Sequence, residues 1–384
     1  MKVSLAQWII VTCLVSVPAF AVVTPSPPEL QAKGYVLMDF QSGAIIAEQN
    51  GRAGLAPASL TKLMTAYVVG QEIKAGRLNW DDLVTVSENA WSEKFPGSSK
   101  MFIKPKDEIS VANLMRGVII QSGNDACVAL AEHVAGSEHG FVALMNGWAE
   151  KLGLQDTYFV NSHGLDSEGI QTSPLDMATL MKSIINDVPD VYALYNEKVF
   201  KWNDITQYNR NKLLWDKSIK VDGGKTGYTS NAGYSLVSSA TEGKMRLISV
   251  VMGTPSAQAR ISQSKNLLSY GFRFYDTKKV ATQGQVESKV KVWKGKVSEI
   301  EASFPQDAYL TLPRSMTAGL DKSVEMKEPL MAPIEQGEVV GKVVWKNNDE
   351  TVASYPLVSN QAVEPASWIG QIWDSIVLWV KSFF

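Results

Sequence analysis

The 384-residue sequence predicts an α+β protein in three parts: an antiparallel sheet with a helical insertion, a small all-β domain, and a C-terminal amphipathic helix. Three observations carry this. Strand patterns occur near residue 35 and return after residue 220, with helical periodicity between them. From about residue 282, short β-rich runs alternate with turn residues and no helical pattern intervenes. Three of the 11 tryptophans fall in the last 17 residues, at helical spacing.

In chain order, residues 1–21 have the pattern of a cleaved secretory signal: Lys2, the apolar stretch Leu5 to Val17, and Ala19-Phe20-Ala21 as cleavage site. Pro25, Pro27 and Pro28 form an extended lead-in. Runs 35–39 and 44–48 flank Phe40-Gln-Ser-Gly43 and predict a β-hairpin. Leu60, Leu63, Met64, Tyr67 and Val68 make a helical stripe just after Pro57. Residues 111–120 and 124–135 predict helices separated by a Ser122-Gly-Asn124 turn; 138–152 and 174–186 predict two more. The last of these opens with Ser173 as cap and Pro174 in the first helical position. Strands follow at 234–239 and 246–252, about the Glu242-Gly243 turn, and a helix at 259–275. The organisation is thus a signal over 1–21, an α+β domain over 22–282, an all-β domain over 283–360 and an amphipathic helix over 361–384. The β runs are 288–293, 307–312, 322–326, 338–345 and 351–357.

In the tail, apolar residues at 368, 369, 372, 373, 376, 377, 379, 380, 383 and 384 share helical spacing, opposite Gln371, Asp374, Ser375 and Ser382. The segment is too short and polar to span a bilayer, and Trp and Phe on one face suit its interface. Docking on the protein's own core is the alternative, and the polar lead-in favours a tether. Little basic charge on the polar face makes attraction to anionic lipid weak.

Composition excludes several classes. Apolar residues at 45% and charged residues at 20% are ordinary for a globular protein. A net charge of −2, from 37 bases and 39 acids, is a poor footprint for nucleic-acid binding. Two cysteines and three histidines are too few for a disulfide framework or an obvious metal cluster, and Cys13 lies in the signal, leaving Cys127. No metal or other cofactor is expected.

Three short motifs matter by placement: Ser59-Leu-Thr-Lys62, Ser122-Gly-Asn124 and Lys225-Thr-Gly227. The first two patterns also recur at other positions, such as Ser288/Lys291, so no single instance is specific. Ser59 opens a helix, where positions i and i+3 share a face, so its hydroxyl can meet the Lys62 amine. A serine hydroxyl needs an adjacent base to act as a nucleophile. Lys62 can be that base only if neutral, which burial and a neighbouring cation such as Lys225 favour. Val221-Asp-Gly-Gly224 leads into Lys225-Thr-Gly227, where glycines let a peptide lie along a strand backbone.

In this order, with Ser122 63 positions after Ser59 and Lys225 103 positions after Ser122, the motifs resemble those of the penicillin-recognising serine enzymes. Pro57-Ala-Ser-Leu-Thr-Lys-Leu-Met-Thr65, Gln121-Ser-Gly-Asn-Asp-Ala-Cys127, His163-Gly-Leu-Asp166, Asn209-Arg-Asn211 and Tyr270-Gly-Phe-Arg-Phe274 narrow the resemblance to the low-molecular-mass penicillin-binding proteins that are D-alanyl-D-alanine carboxypeptidases. It runs from about residue 30 to the end. It implies a β-lactamase/transpeptidase-like fold, and removal of the terminal D-Ala from a peptidoglycan stem pentapeptide. Ser59 would be acylated, with Lys62 as its base and Ser122 passing a proton to the leaving amine, held by Lys62 and Lys225. Asn124 would bind the peptide amide, Lys225 would keep the field positive, and Thr226 and Arg260 would grip the terminal carboxylate. Gly227 lets the substrate approach the strand, Arg210 braces the region near Lys225, and the N–H groups of Ser59 and Tyr228 would form the oxyanion hole. β-Lactams would acylate Ser59 as inhibitors, and the resemblance implies a part in cell-wall maturation and cell shape. Signal and tail together imply the periplasmic face of the inner membrane.

A class A β-lactamase is one alternative, but the Glu-x-x-Leu-Asn motif whose Glu drives its deacylation is absent. An endopeptidase would not need the Arg260 grip. A catalytically silent wall-binding scaffold would not need Ser59, Lys62, Ser122 and Lys225 intact. His133 and His139 read as structural, His163 as part of a supporting loop, Cys127 as a buried small residue, and residues 87–100 as a loop rimming a cleft.

Overall fold

The computed structural model describes residues 24–316, 320–347 and 349–383; the expected signal, residues 1–21, lies outside them, as does Phe384. Five strands form an antiparallel sheet: β1 (Gly34–Asp39), β2 (Ile45–Gln49), β3 (Lys220–Thr229), β4 (Gly233–Glu242) and β5 (Met245–Thr254), in the order β2-β1-β5-β4-β3. The first hairpin therefore pairs with the last strand, and everything between residues 50 and 219 is inserted between the two hairpins. That is the expected antiparallel sheet with a helical insertion.

The two central strands are apolar almost throughout because both faces are covered. Val36, Met38, Ile248 and Val250 face the helical insertion. Leu37, Leu247 and Val251 alternate onto the other face. There they meet Leu267, Leu268 and Phe272 of the helix Ala257–Phe274. That helix lies so close that a Cβ on Gly271 would sit 2.5 Å from Leu247 Cδ1 and 2.9 Å from Leu37 Cδ2.

The insertion is built around α1 (Lys62–Lys74), whose first nine residues are all buried. The expected stripe is thus a helix enclosed on every side, packed by α2 (Asn124–Ala135), α3 (Glu138–Lys151) and α4 (Pro174–Asp187). Ser173 caps α4 by accepting from Asp176 N–H, with Pro174 following it. The helix expected over 111–120 is α-helical at Val111–Arg116 and widens into a π turn at Gly117–Gln121. Two antiparallel strand pairs carry no sequence signal, Leu83–Thr85 with Glu108–Ser110 and Val199–Trp202 with Ile205–Tyr208; both are short and partly exposed, so they lack a sustained alternation.

The all-β part starts earlier than residue 283. The chain leaves its last sheet-packed helix at Phe274 straight into the strand Tyr275–Ala281, which pairs with Ala308–Pro313. Its six-stranded sheet encloses a separate core including Val292, Ile300, Val343 and Leu357. It also runs further than expected at its end. Val363 is buried and bridges to Ile334, so residues 361–367 belong to this unit and the terminal helix begins at Trp368. The two parts meet at Asp39, whose carboxylate accepts from Ser42 and from Thr277 Oγ1 at 2.8 Å.

The terminal helix Trp368–Lys381 has no buried residue. Its polar side is the one that meets the β domain. Asp374 accepts from Lys294 N–H, and Lys381 Nζ lies 5.4 Å from the Trp293 ring centroid. Trp368, Ile369, Ile372, Trp373, Ile376, Trp379, Val380 and Phe383 are 45% to 71% exposed and share an arc of about 140° at 100° per residue. Among the described residues no helix is long and apolar enough to cross a membrane.

Leu37 is wholly buried between sheet and helix, whereas Leu83 is 59% exposed. Leu37→Ala is expected to lower unfolding free energy by about 2–5 kcal/mol, and Leu83→Ala by less than about 0.5 kcal/mol. Denaturant midpoints of the two variants check this.

Candidate active site

Ser59 sits in the 3-10 turn Ala58–Thr61 that feeds α1. Ala58, immediately before it, is buried in the left-handed region at φ 48°. Such a conformation costs about 1–3 kcal/mol outside glycine and persists where surroundings impose it. They do so on two sides. A Cβ on Gly164 would fall 1.8 Å from Ala58 O, and one on Gly227 would fall 3.0 Å from Pro57 O. Gly164 itself has φ 85°. The loop 163–166 and strand β3 thus clamp the turn, and only glycine fits at Gly164.

Lys62 follows one turn later and is fully buried. Its Nζ lies 3.2 Å from Ser59 Oγ, 2.7 Å from Asn124 Oδ1 and 2.5 Å from His163 O. The protonated amine donates to all three oxygens; once it loses a proton, its two N–H groups remain on the two carbonyl oxygens and its lone pair is left for the Ser59 O–H. Burial lowers the Lys62 pKa to about 8, with Cys127, Arg210 and Asp125 contributing smaller charge effects.

Ser122 ends the π turn, also left-handed at φ 62°. That conformation aims its Oγ at Lys225 Nζ, 2.9 Å away. No hydrogen bond joins Ser122 to Lys62; Asn124 occupies the Lys62 amine instead. Lys225, on β3, also donates to Thr226 O at 3.0 Å. Burial, and then the neighbouring Lys62 and Arg210, pull the Lys225 pKa well below the usual lysine range. The guanidinium groups of Arg210 and Arg260 stand at the cleft beside these amines as further positive charges; burial lowers Arg260 only to about 10.

These groups open on a cleft of about 530 Å³, lined by Ser59, Ser122, Asn124, Thr226, Gly227, Tyr228, Arg210 and Arg260. Lys62 and Lys225 lie just behind that lining. Arg260 donates to Gly227 O at 3.1 Å and lies over the Tyr234 ring, while Tyr234 stacks on Tyr228 at 4.2 Å. Arg210 donates to Ser99 Oγ at 2.6 Å. The structure therefore gathers every sequence-predicted site residue at one cleft. The Ser59 N–H lies in the first turn of a helical segment, where no intrahelical acceptor exists. Strand β3 is the outer strand of its sheet, with a free edge.

Other residues were not assigned roles from sequence. Ser98 accepts from Asn124 Nδ2 at 2.8 Å, the His163 carbonyl holds Lys62, and Tyr234 backs Arg260. A main-chain carbonyl carries no sequence signal; the Gly97-Ser-Ser99 run was the one hint of Ser98. His163 is not a base: burial, and then Lys62, lower its imidazole to about 3. Its 3.7 Å approach to Glu138 is therefore a contact of a neutral ring. Cys127 is buried, its thiol pushed up to about 12 by desolvation. Among the described residues no group of three or more His, Cys, Asp or Glu could hold a metal.

Comparison with known proteins gives concordant results. Residues 21–256 match the D-alanyl-D-alanine carboxypeptidase family, and residues 275–365 match the penicillin-binding protein 5 C-terminal domain. The chain is 45% identical to the D-alanyl-D-alanine carboxypeptidase DacC of Escherichia coli over 94% of this chain and 92% of that protein. It is similar to penicillin-binding protein 5 from Haemophilus influenzae, with a TM-score of 0.85 and 45% identity over 88% of this chain and 99% of that one. It also resembles penicillin-binding protein D2 from Listeria monocytogenes in its cefotaxime-bound form, at a TM-score of 0.59 and 28% identity over 65% of this chain and 100% of that one.

Proposed function

The chain belongs to the D-alanyl-D-alanine carboxypeptidase family, and from that premise we propose that it removes the terminal D-Ala of peptidoglycan stem pentapeptides through an acyl-enzyme on Ser59. The observation that carries this reading is the 3.2 Å approach of Ser59 Oγ to a fully buried amine with two carbonyl acceptors of its own. Lys62 takes the Ser59 proton as the oxygen attacks the carbonyl carbon of the penultimate D-Ala. The backbone N–H groups of Ser59 and Tyr228 receive the oxyanion. As the intermediate collapses, the C–N bond breaks and Ser122 protonates the departing amine, taking a replacement proton from the Lys225 amine hydrogen-bonded to it. Water then attacks the ester, its proton passing to Lys225 by way of Ser122, and the proton held on Lys62 returns to Ser59 Oγ as the serine leaves.

Substrate lies as a further strand on the free edge of β3, with Asn124 on its amide. Arg260 and Thr226 bind its terminal carboxylate, which makes the enzyme an exopeptidase. β-Lactams acylate the same serine and leave slowly, since no Glu-x-x-Leu-Asn motif supplies a deacylating base. The outward Trp and Ile face of the terminal helix rests in the interface of the inner membrane, on its periplasmic side, and the β domain spaces the cleft from that surface. This accords with a role in cell-wall maturation and cell shape.

Ser59→Ala is expected to abolish both D-Ala release from a pentapeptide ending in D-Ala-D-Ala and covalent labelling by a fluorescent penicillin. Surviving labelling overturns the nucleophile assignment. Only unprotonated Lys62 accepts the proton. Acylation by penicillin should therefore rise about ten-fold per pH unit on the acid side and level off above about pH 8. A flat profile between pH 6 and 9, roughly the range that brackets that midpoint, removes Lys62 as base. Because Val363 is buried, truncation belongs after Ser367. The shortened protein should keep its rate on soluble peptide and no longer sediment with inner membranes; co-sedimentation refutes the tether.

A further inference from the structure

Beside Asn124 is a carboxylate that has entered so far only through its smaller charge effect on Lys62. Asp125 is wholly buried, and among the described residues no ion pair reaches it. It lies in the first turn of α2, where a negative charge suits the helix dipole. Its Oδ1 accepts from Met101 N–H at 2.8 Å and from Ala126 N–H at 2.9 Å. Its Oδ2 accepts from the N–H groups of Met101, Phe102 and Ile103 at 3.0, 2.9 and 3.4 Å. All five contacts are N–H donors. Burial raises the Asp125 proton affinity and the N–H groups oppose that rise; a protonated carboxyl would need an acceptor that this shell lacks, so the group is an anion held by peptide dipoles.

The three amides on Oδ2 belong to the segment that forms one rim of the cleft. That segment is extended and irregular, and Phe102 lies at φ 69°. Met101 and Ile103 bury their side chains in the core, but the segment's other main-chain hydrogen bonds are few: Asn124 N–H to Ser99 O, Ser92 N–H to Ile103 O, and two long side-chain contacts from Asn203 and Gln207, so Asp125 is what fixes the direction of its peptide groups. Gly123 lets it approach, since a Cβ there would lie 3.0 Å from Met101 N and 2.8 Å from Asp125 Oδ1. The same segment presents Ser98 to Asn124 and Ser99 to Arg210. The Asn124 side-chain amide is thus held at both ends, its oxygen by Lys62 and its nitrogen by Ser98.

We propose that Asp125 is a positioning residue: its buried carboxylate staples residues 101–103 so that Ser98 holds the Asn124 amide in the orientation that aligns the substrate. The inference rests on the functional reading of Asn124 and adds to it a residue that touches neither substrate nor nucleophile. Asp125→Asn replaces one oxygen with an NH2 that faces peptide N–H groups, so the staple is lost while the volume is kept. Acylation should slow by about 10- to 100-fold, the scale that follows from misplacing an aligning group by about 1 Å. Ser98→Ala leaves the staple and removes one neutral hydrogen bond, and should slow acylation by about five-fold.

The decisive measurement is a double-mutant cycle on the second-order rate of labelling by a fluorescent penicillin, together with amide hydrogen exchange and melting temperature of each full-length variant. If Asp125 acts through Ser98, the double variant is no slower than Asp125→Asn alone, and exchange of the 101–103 amides quickens in Asp125→Asn but not in Ser98→Ala. Rates that multiply, exchange that does not change, or wild-type labelling by Ser98→Ala overturns the proposal; the last outcome decides even if Asp125→Asn does not fold. Wild-type protein that takes no label would refute the functional reading instead, and the exchange comparison would still decide what Asp125 does.

Discussion

The Lys62 amine has no access to water, and keeping it satisfied there draws in segments far apart in the chain. Asn124 arrives from the end of the π turn, the His163 carbonyl from the loop below the Ser59 turn, and Ser59 from the preceding residues of the same helix. Each contact places something besides the amine. Asn124 stands at the cleft, Gly164 wedges against Ala58, and Ser59 faces the open space. The helical insertion encloses α1 on all sides because an exposed α1 would return Lys62 to its ordinary proton affinity.

The electrostatics divide along the same line between buried and open. The two amines behind the cleft wall lose proton affinity through desolvation, and the Lys62 charge makes protonation of Lys225 less favourable still. The two guanidinium groups at the cleft keep their charge because arginine starts so much higher. One region thereby offers a proton acceptor and a lasting positive field together, which four lysines could not do.

How much of this the sequence disclosed depended on what carried each feature. Ser59, Lys62, Ser122, Asn124 and Lys225 were legible because motif spacing and a helix period of 3.6 place them; Ser59, Ser122 and Asn124 line the cleft and the two lysines reach Ser59 and Ser122 from behind it. The paired strands β1 and β5 were legible through apolar runs, interrupted in β5 only by Ser249 between Leu247 and Met252. What stayed hidden is carried by backbone. The His163 carbonyl, the left-handed Ala58 and the amides that Asp125 gathers belong to groups every residue possesses. The strand Tyr275–Ala281 was hidden for another reason: Tyr-Asp-Thr-Lys-Lys has a single weakly apolar face, and it directly continues a helix with no turn signal between. The end of the β domain was misplaced because one buried residue, Val363, shows no periodicity.

The close approach of Gly164 to Ala58 bears on how the protein matures. Residues about a hundred positions apart meet backbone to backbone, with no side chain between them to absorb a misfit. A chain with its sheet formed but its insertion incomplete would leave Ala58 free to relax to ordinary dihedrals, and Lys62 hydrated. It would hold the whole reactive set in its sequence and remain inert. Competence therefore arrives late and all at once, when the insertion closes. Such a partly folded chain has no reactive serine to be trapped, and covalent capture by a penicillin would count native molecules rather than merely synthesised ones.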